Sequence, residues 1–343
     1  MAKKNKSVTL SLIANLVVFV GFLFFAIWFV FRDQDINEVL EVSSHANPIF
    51  LLLGIACMLG YFSMEAWNIR TLLNSFGEKV TFLKALKFTL VGFFFCSVTP
   101  GASGGQPLEI YYMSKEGIST ANATLSILVQ TCGIQFAVTG LGLICAIFGN
   151  NFLSGPVAIL FAIGLMINVF ALIILLLCIF FTGGLRSILR RFFGFLWKHN
   201  FKKADKWLQK AENGLDKYNE GSRYIRTHKK EFWYSMAKVL GQMTLFYLIP
   251  YFVYLSFGLR AESIFAIFTM QSILFVSTCC LPIPGAIGAS EAVFLGLYGA
   301  VFGENMINSA TLLNRGISFY LFVIVSMFVV LYNMLYVKIK YKK

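Results

Sequence analysis

The residues of this chain best able to do chemistry lie in two short stretches that share a pattern. Cys96-Ser97-Val98-Thr99-Pro100-Gly101-Ala102-Ser103-Gly104-Gly105 is repeated in outline by Cys280-Leu281-Pro282-Ile283-Pro284-Gly285-Ala286-Ile287-Gly288-Ala289, with Pro284 standing 184 positions after Pro100. Proline has no amide hydrogen and glycine tolerates left-handed angles, so Pro-Gly-Ala-x-Gly breaks a helix and bares backbone polar groups. A helix that restarts after Gly105 or Gly288 begins with unpaired amides at the positive end of its dipole, which suits a phosphate or another anion. Gly104 and Gly105 let such a group come close to the backbone, and Ser103, Gln106 and Ser290 add hydrogen bonds.

Charged side chains far from any helix end are few: Glu65, Glu109, Glu291 and Arg315. Each costs ~2.5–3.5 kcal/mol in the middle of a bilayer, which makes each a candidate for function. Glu291 follows the second turn, and Arg315 lies in the outer third of the last helix. Either an ion pair between them or direct contact with a substrate fits. Glu109 stands at a similar place after the first turn, beside Gln106 and the pair Tyr111-Tyr112, where tyrosines also serve as interfacial anchors. Glu65, Trp67 and Arg70 close the second helix, and snorkelling accounts for Arg70.

The elements that must position these residues are membrane helices. Of 343 residues, 58% are hydrophobic and only 13% charged, with a mean hydropathy of +0.73. Several apolar runs reach the ~20 residues that cross ~30 Å of hydrocarbon. Spans are expected at about 8–31, 48–73, 121–149, 155–181, 232–257 and 310–337, with the broken segments at 82–118 and 262–303. The lysine-bearing amino terminus reads as an uncleaved first helix because its apolar run is too long for a signal peptide.

Charge then orients the chain. The basic amino terminus, the cation-rich region 185–231 and the lysine-rich tail all belong on the cytoplasmic side. Four spans before 185–231 already satisfy that parity, so 82–118 must enter and leave from the cytoplasm. Its return arm of about twelve residues, ~18 Å, is too short to span. By the same count 262–303 starts and ends outside, either as a hairpin or as two crossings. Two similar broken segments of opposite sense are the mark of inverted-repeat transporters, with a site near the midplane.

Other chemistry is not indicated. The seven cysteines fall in apolar segments and read as buried thiols. The three histidines lie far apart, and no metal-ligand spacing, nucleophile elbow or phosphate loop occurs. Within 185–231, Ala204, Trp207, Leu208, Ala211, Leu215 and Tyr218 recur at helical spacing, which fits an amphipathic helix on an anionic leaflet as well as it fits an ordinary basic loop. The excess of positive charge is therefore a topology signal, and nucleic acid is not the expected partner.

At these motifs the chain resembles the flippase-like membrane family that includes the transmembrane part of lysylphosphatidylglycerol synthase, the multiple peptide resistance factor. The resemblance rests on Thr99 to Pro107 with Tyr111-Tyr112, on Pro282 to Glu291, and on Arg315, with the helix spacing between them. It implies a bilayer domain that moves lipid headgroups between leaflets, and hence a link to lipid metabolism and antibiotic resistance, with these motifs around a lipid cavity. Many members have glycine where Ala102 and Ala286 stand here, and a basic residue where Ile110 stands. The soluble aminoacyl-transferase domain of the synthase is not expected in these residues.

The resulting expectation is an all-α polytopic protein of the cell membrane, with both termini cytoplasmic. Its single domain, 1–343, has about six full spans plus two broken or re-entrant hairpins forming an inverted repeat in two halves, 48–183 and 232–337. It would move a phospholipid or polyprenyl-linked headgroup without a cofactor or metal, and the partners are membrane lipids with anionic or zwitterionic headgroups, with a second copy or a lipid-modifying enzyme as further possibilities. Pro100, Gly101, Ser103, Gly104, Gly105, Gln106, Glu109, Tyr112, Pro284, Gly285, Gly288, Ser290, Glu291 and Arg315 would form the substrate site. The alternatives are a membrane enzyme of lipid headgroup modification, such as a phosphatidylglycerol lysyltransferase with Glu109 or Glu291 as base, and a secondary transporter of a small anion.

Overall fold

The structure, a computed structural model, describes residues 41, 42, 44–180, 219 and 222–340. The first expected span and the amphipathic stretch from Ala204 to Tyr218 lie outside these residues. Among those described, every regular element is helical. Helix α1 runs Pro48–Ser75, α2 Phe82–Val98, α3 Gly105–Lys115, α4 Thr120–Phe148 and α5 Gly155–Phe180. A short helical piece over 222–227 precedes α6, Lys229–Tyr247, and α7, Ile249–Ser256. The series ends with α8 Ile264–Thr278, α9 Ala289–Phe302, α10 Ile307–Arg315 and α11 Leu321–Lys340.

Six helical stretches are long and apolar enough to cross a membrane: Pro48–Ser75, Thr120–Phe148, Gly155–Phe180, Lys229–Ser256, Pro284–Phe302 and Ile307–Asn333. The protein is therefore a multi-span membrane protein. Along α5 the exposed residues Ile159, Ile163, Met166, Ile167, Phe170, Ile173, Ile174 and Leu177 recur at helical spacing. A continuous apolar stripe of that kind faces hydrocarbon in a protein that has no aqueous reason to expose it.

Local sequence sets the helix ends. Asn47 caps α1 by accepting from the amide of Ile49 at 3.0 Å, with Pro48 in the first turn, where its missing amide is harmless. Ser263 caps α8 in the same way through Ala266. Two of the expected continuous spans are interrupted. The 232–257 span divides between α6 and α7 at Leu248, just before Pro250. The last span divides between α10 and α11 at a π-helical stretch, Gly316–Tyr320.

Helices α2 and α3 fold into one hairpin, and α8 and α9 into another. Their arms of 17, 11, 15 and 14 residues are each ~16–26 Å long, and only the last, taken with the turn before it, makes a stretch long enough to cross, Pro284–Phe302. The base of the first hairpin is fastened by Glu116, which pairs with Lys84 at 3.3 Å and with Lys87. The central core is rich in aromatics, with Phe62, Tyr247, Tyr254, Phe294 and Tyr298 almost fully buried.

Candidate functional site

Both Pro-Gly-Ala turns fold alike. Gly101 (φ 58°, ψ 28°) and Ala102 (φ 55°) are left-handed, and so are Gly285 (φ 59°, ψ 12°) and Ala286 (φ 51°). In each turn an alanine amide reaches back three residues: Ala102 to Thr99 at 3.1 Å and Ala286 to Ile283 at 3.0 Å. The following helices restart at Gly105 and Ala289, which keeps the 184-residue offset. Over Pro-Gly-Ala the repeat in the sequence is thus a repeat of backbone conformation, and it ends there: Ser103 is helical where Ile287 is extended, and Gly288 (φ 82°) is left-handed where Gly104 (φ −87°) is not. Its shared cysteine is not equivalent: Cys96 lies within α2 and contacts the carbonyl of Ala102, whereas Cys280 lies beyond α8 beside Cys279 and Asn168.

The first tip is held by Thr99, whose hydroxyl donates to the carbonyl of Phe95 at 2.6 Å and accepts from the amide of Gly104 at 2.9 Å. Below it the arms come close because neither meeting point has a side chain. A Cβ on Gly105 would collide with Cys96 Sγ and lie 2.7 Å from the Gly92 carbonyl. The second tip is held by charge. Arg315 Nε donates to Glu291 Oε1 at 2.8 Å, Arg315 Nη2 donates to the Gly285 carbonyl at 2.8 Å, and Glu291 Oε2 accepts from the Gly288 amide at 2.7 Å. Glu291 therefore occupies the positive end of α9 itself, while Arg315 stacks on Phe319 with 4.6 Å to the ring centroid.

The two tips touch, with Gly101 against Pro282, and border a half-open cavity of ≈ 310 Å³. Four of the sequence-derived candidates line it: Gly101, Gly285, Ser290 and Arg315. Glu291 stands directly behind Arg315. On the first side Ser103 turns its hydroxyl back to the Pro100 carbonyl at 2.9 Å, and Gln106 donates to Thr131 at 3.0 Å. Tyr112 packs against Phe95 with 6.5 Å between ring centroids.

The sequence matches the lysylphosphatidylglycerol synthase TM region family over residues 12–326. The chain belongs to this family. Among its relatives is a UPF0104 membrane protein of Archaeoglobus fulgidus, 20% identical over 285 residues that cover 81% of this chain and 84% of the relative. The UPF0104 membrane protein PH1989 of Pyrococcus horikoshii is 23% identical over 296 residues, covering 83% and 88% respectively. Within this family member, the broken hairpins account for both motifs that carried the resemblance, and Arg315 is bonded to the second of them.

Several cavity residues have no motif to announce them. Asn314 and Ser318 reach the cavity beside Arg315, and Tyr61, Cys96 and Cys279 complete parts of its wall. Two charged residues also sit differently from expectation. Glu65 is not at a helix end, because α1 continues to Ser75; it joins a polar chain in which Gln242 donates to it at 2.7 Å. Glu109 is two positions further from its turn than Glu291 is from the second, so it points between the hairpin arms toward Gly92 instead of back to the cap. Lys238, unremarked in the sequence because it lies near the polar start of its helix, is buried, bonds Thr71 at 2.9 Å and stacks over Trp67 and Tyr234.

Proposed function

We propose that this protein moves a lipid with a phosphate-bearing headgroup, a phospholipid or a polyprenyl-linked one, between the leaflets of the cell membrane. The observation that supports this reading is the cavity at the meeting of the two Pro-Gly tips, with Arg315 in its wall. A guanidinium carries five N–H donors, and Arg315, which lines the cavity, has donors beyond the two it gives to Glu291 and the Gly285 carbonyl. The left-handed turns Gly101-Ala102 and Gly285-Ala286 present bare backbone to the same space. The headgroup sits there while the apolar tail stays in hydrocarbon beside the exposed helix faces.

The short arms of the first hairpin and the tip-to-tip contact favour broken segments that enter from opposite leaflets, the first from the cytoplasm and the second from outside, with both termini cytoplasmic. In that arrangement the two tips are the barrier, and separating either from the cavity opens it to one side. Ser103, Gln106, Glu109 and Tyr112 then act on the first hairpin's position, while Glu291 keeps Arg315 oriented. A transferase reading draws less support, because Glu109, one of its two candidate bases, lies outside the cavity wall, and Glu291 is committed to Arg315 and the Gly288 amide.

The test is translocation of a fluorescently labelled phosphatidylglycerol in vesicles of phosphatidylglycerol and phosphatidylethanolamine that contain the full chain. Wild type is expected to carry the probe across and Arg315→Gln to lose most of that rate. Equal rates with and without protein, over a panel of anionic and zwitterionic probes, would end the proposal.

A further inference from the structure

Glu109 is 4% exposed, and its Oε1 has no hydrogen-bond partner among the described residues. Its Oε2 rests against Gly92, where an added Cβ would lie 2.6 Å away. The titratable groups that face it are Glu65 from α1 and Cys96 from α2. Helix α4, packed on its other side, carries no Asp, Glu, Lys, Arg or His. On α3 itself Tyr112 turns to Phe95, and Lys115 at the far end lies over Tyr111. The nearer lysines of α2, Lys84 and Lys87, are engaged by Glu116 at the hairpin base. An ionised carboxylate in this position would have another carboxyl as its charged neighbour and an oxygen without a donor, which costs several kcal/mol. A neutral carboxyl has no such penalty.

Glu65, the charged neighbour of Glu109, begins a hydrogen-bonded file. Gln242 Nε2 donates to Glu65 Oε2 at 2.7 Å, Gln130 Nε2 to Gln242 Oε1 at 2.9 Å, and Asn68 Nδ2 to Gln130 Oε1 at 2.6 Å. On α1 the polar residues Tyr61, Glu65, Asn68 and Thr71 form one stripe, which starts at the cavity with Tyr61 and ends where Thr71 accepts from Lys238. Asn68 Oδ1 also lacks a partner among the described residues, so the far end of the file has an oxygen that a water molecule would satisfy, as a water molecule or a proton would satisfy Glu109 Oε1. In an apolar layer such a file is the kind of place where a mobile proton is solvated.

We infer that Glu109, with Glu65 beside it, is a proton-carrying site that couples lipid movement to a transmembrane proton gradient. The inference rests on the lipid-moving reading for its coupling, though not for the proton itself. Glu109 Oε1 takes a proton from water on one side and returns it to water on the other, with Glu65 as the neighbouring acceptor along the file. The loaded carboxyl is neutral and lets the first hairpin shift past Gly92. The unloaded one draws water or a donor and holds it back.

Two measurements on the full chain test this. In detergent, infrared titration is expected to show a protonated-carboxyl band that is absent from Glu109→Gln, a variant that mimics the neutral form and so should fold; a wild-type protein without a band that Glu109→Gln removes would overturn the proton site. In the labelled phosphatidylglycerol vesicles, a one-unit pH gradient should shift the distribution of probe by up to about tenfold for one proton per lipid. Glu109→Gln and Gly92→Ala should not respond. A response to a sodium gradient at fixed pH, with none to pH, would overturn the assignment to protons. Wild-type vesicles that move no probe while the band titrates would sink the lipid reading and the coupling, and leave the proton site standing.

Discussion

Arg315 and Glu291 satisfy each other, yet each also holds a piece of backbone: the Gly285 carbonyl for one and the Gly288 amide for the other. Removing one partner strands the other in a site where both side chains are close to nine-tenths covered. Arg315→Ala should therefore destabilise the fold by roughly 3–5 kcal/mol, and Arg315→Gln with Glu291→Gln by clearly less. Thermal unfolding in detergent reads both, and equal losses would show that the pair is not coupled. At Ala102 and Ala286 the left-handed backbone strains a residue with a Cβ by ~1–2 kcal/mol. Ala102→Gly and Ala286→Gly should each raise stability by about 1 kcal/mol or less, once glycine's greater freedom in the unfolded chain is subtracted. The ion pair was legible in the sequence because a charge in an apolar layer is costly and so conspicuous. Lys238 was not, since its cost is relieved by Trp67 and Tyr234, aromatic partners that are distant or ordinary in sequence. The true direction of Glu109 depends on a two-residue offset that matters only once the turn has a shape.

The hairpins depend on glycines where helices meet. A methyl group on Gly164 would run into the backbone carbonyl of Val276 on α8, which cannot move as a side chain tip can. Gly164→Ala should cost about 1–3 kcal/mol through forced separation of α5 and α8. Gly105→Ala should do the same between α2 and α3, and the same unfolding measurement should place both well below a control such as Gly140→Ala, where a Cβ meets nothing. Pro and Gly made the two breaks readable, because they act through the backbone itself. The interruption at Gly316–Tyr320 left no comparable mark: it contains no proline, and its extra residue is absorbed by packing that only the assembled helices reveal.

For the whole molecule, five of the expected spans could be read from hydropathy, because membrane thickness fixes helix length, whereas the stretch Pro284–Phe302 falls within the segment expected to be broken, and the span expected at 8–31 lies outside the described residues. How the tips meet could not, since it depends on contacts between segments far apart in the chain. The proposed opposed entry has a direct check. In oriented membrane vesicles, Lys79→Cys, just before the first hairpin, should react with an impermeant thiol reagent from the cytoplasmic side, and Ala261→Cys, before the second, from the outer side. Labelling of both from one side would remove the opposed arrangement, and with it the tips as a two-sided barrier.

The π-helical stretch after Arg315 sets the phase between two ends of one span. A residue inserted into an α-helix turns everything beyond it by ~100°. Before the stretch, Asn314 and Arg315 face the cavity; after it, Val323 and Val330 pack against α2 through Val91 and Phe94. Deleting one residue from the stretch would rejoin the two ends as a plain α-helix, and could keep only one of those alignments. The extra residue lets one span serve as an anchor at one end and as part of the cavity wall at the other.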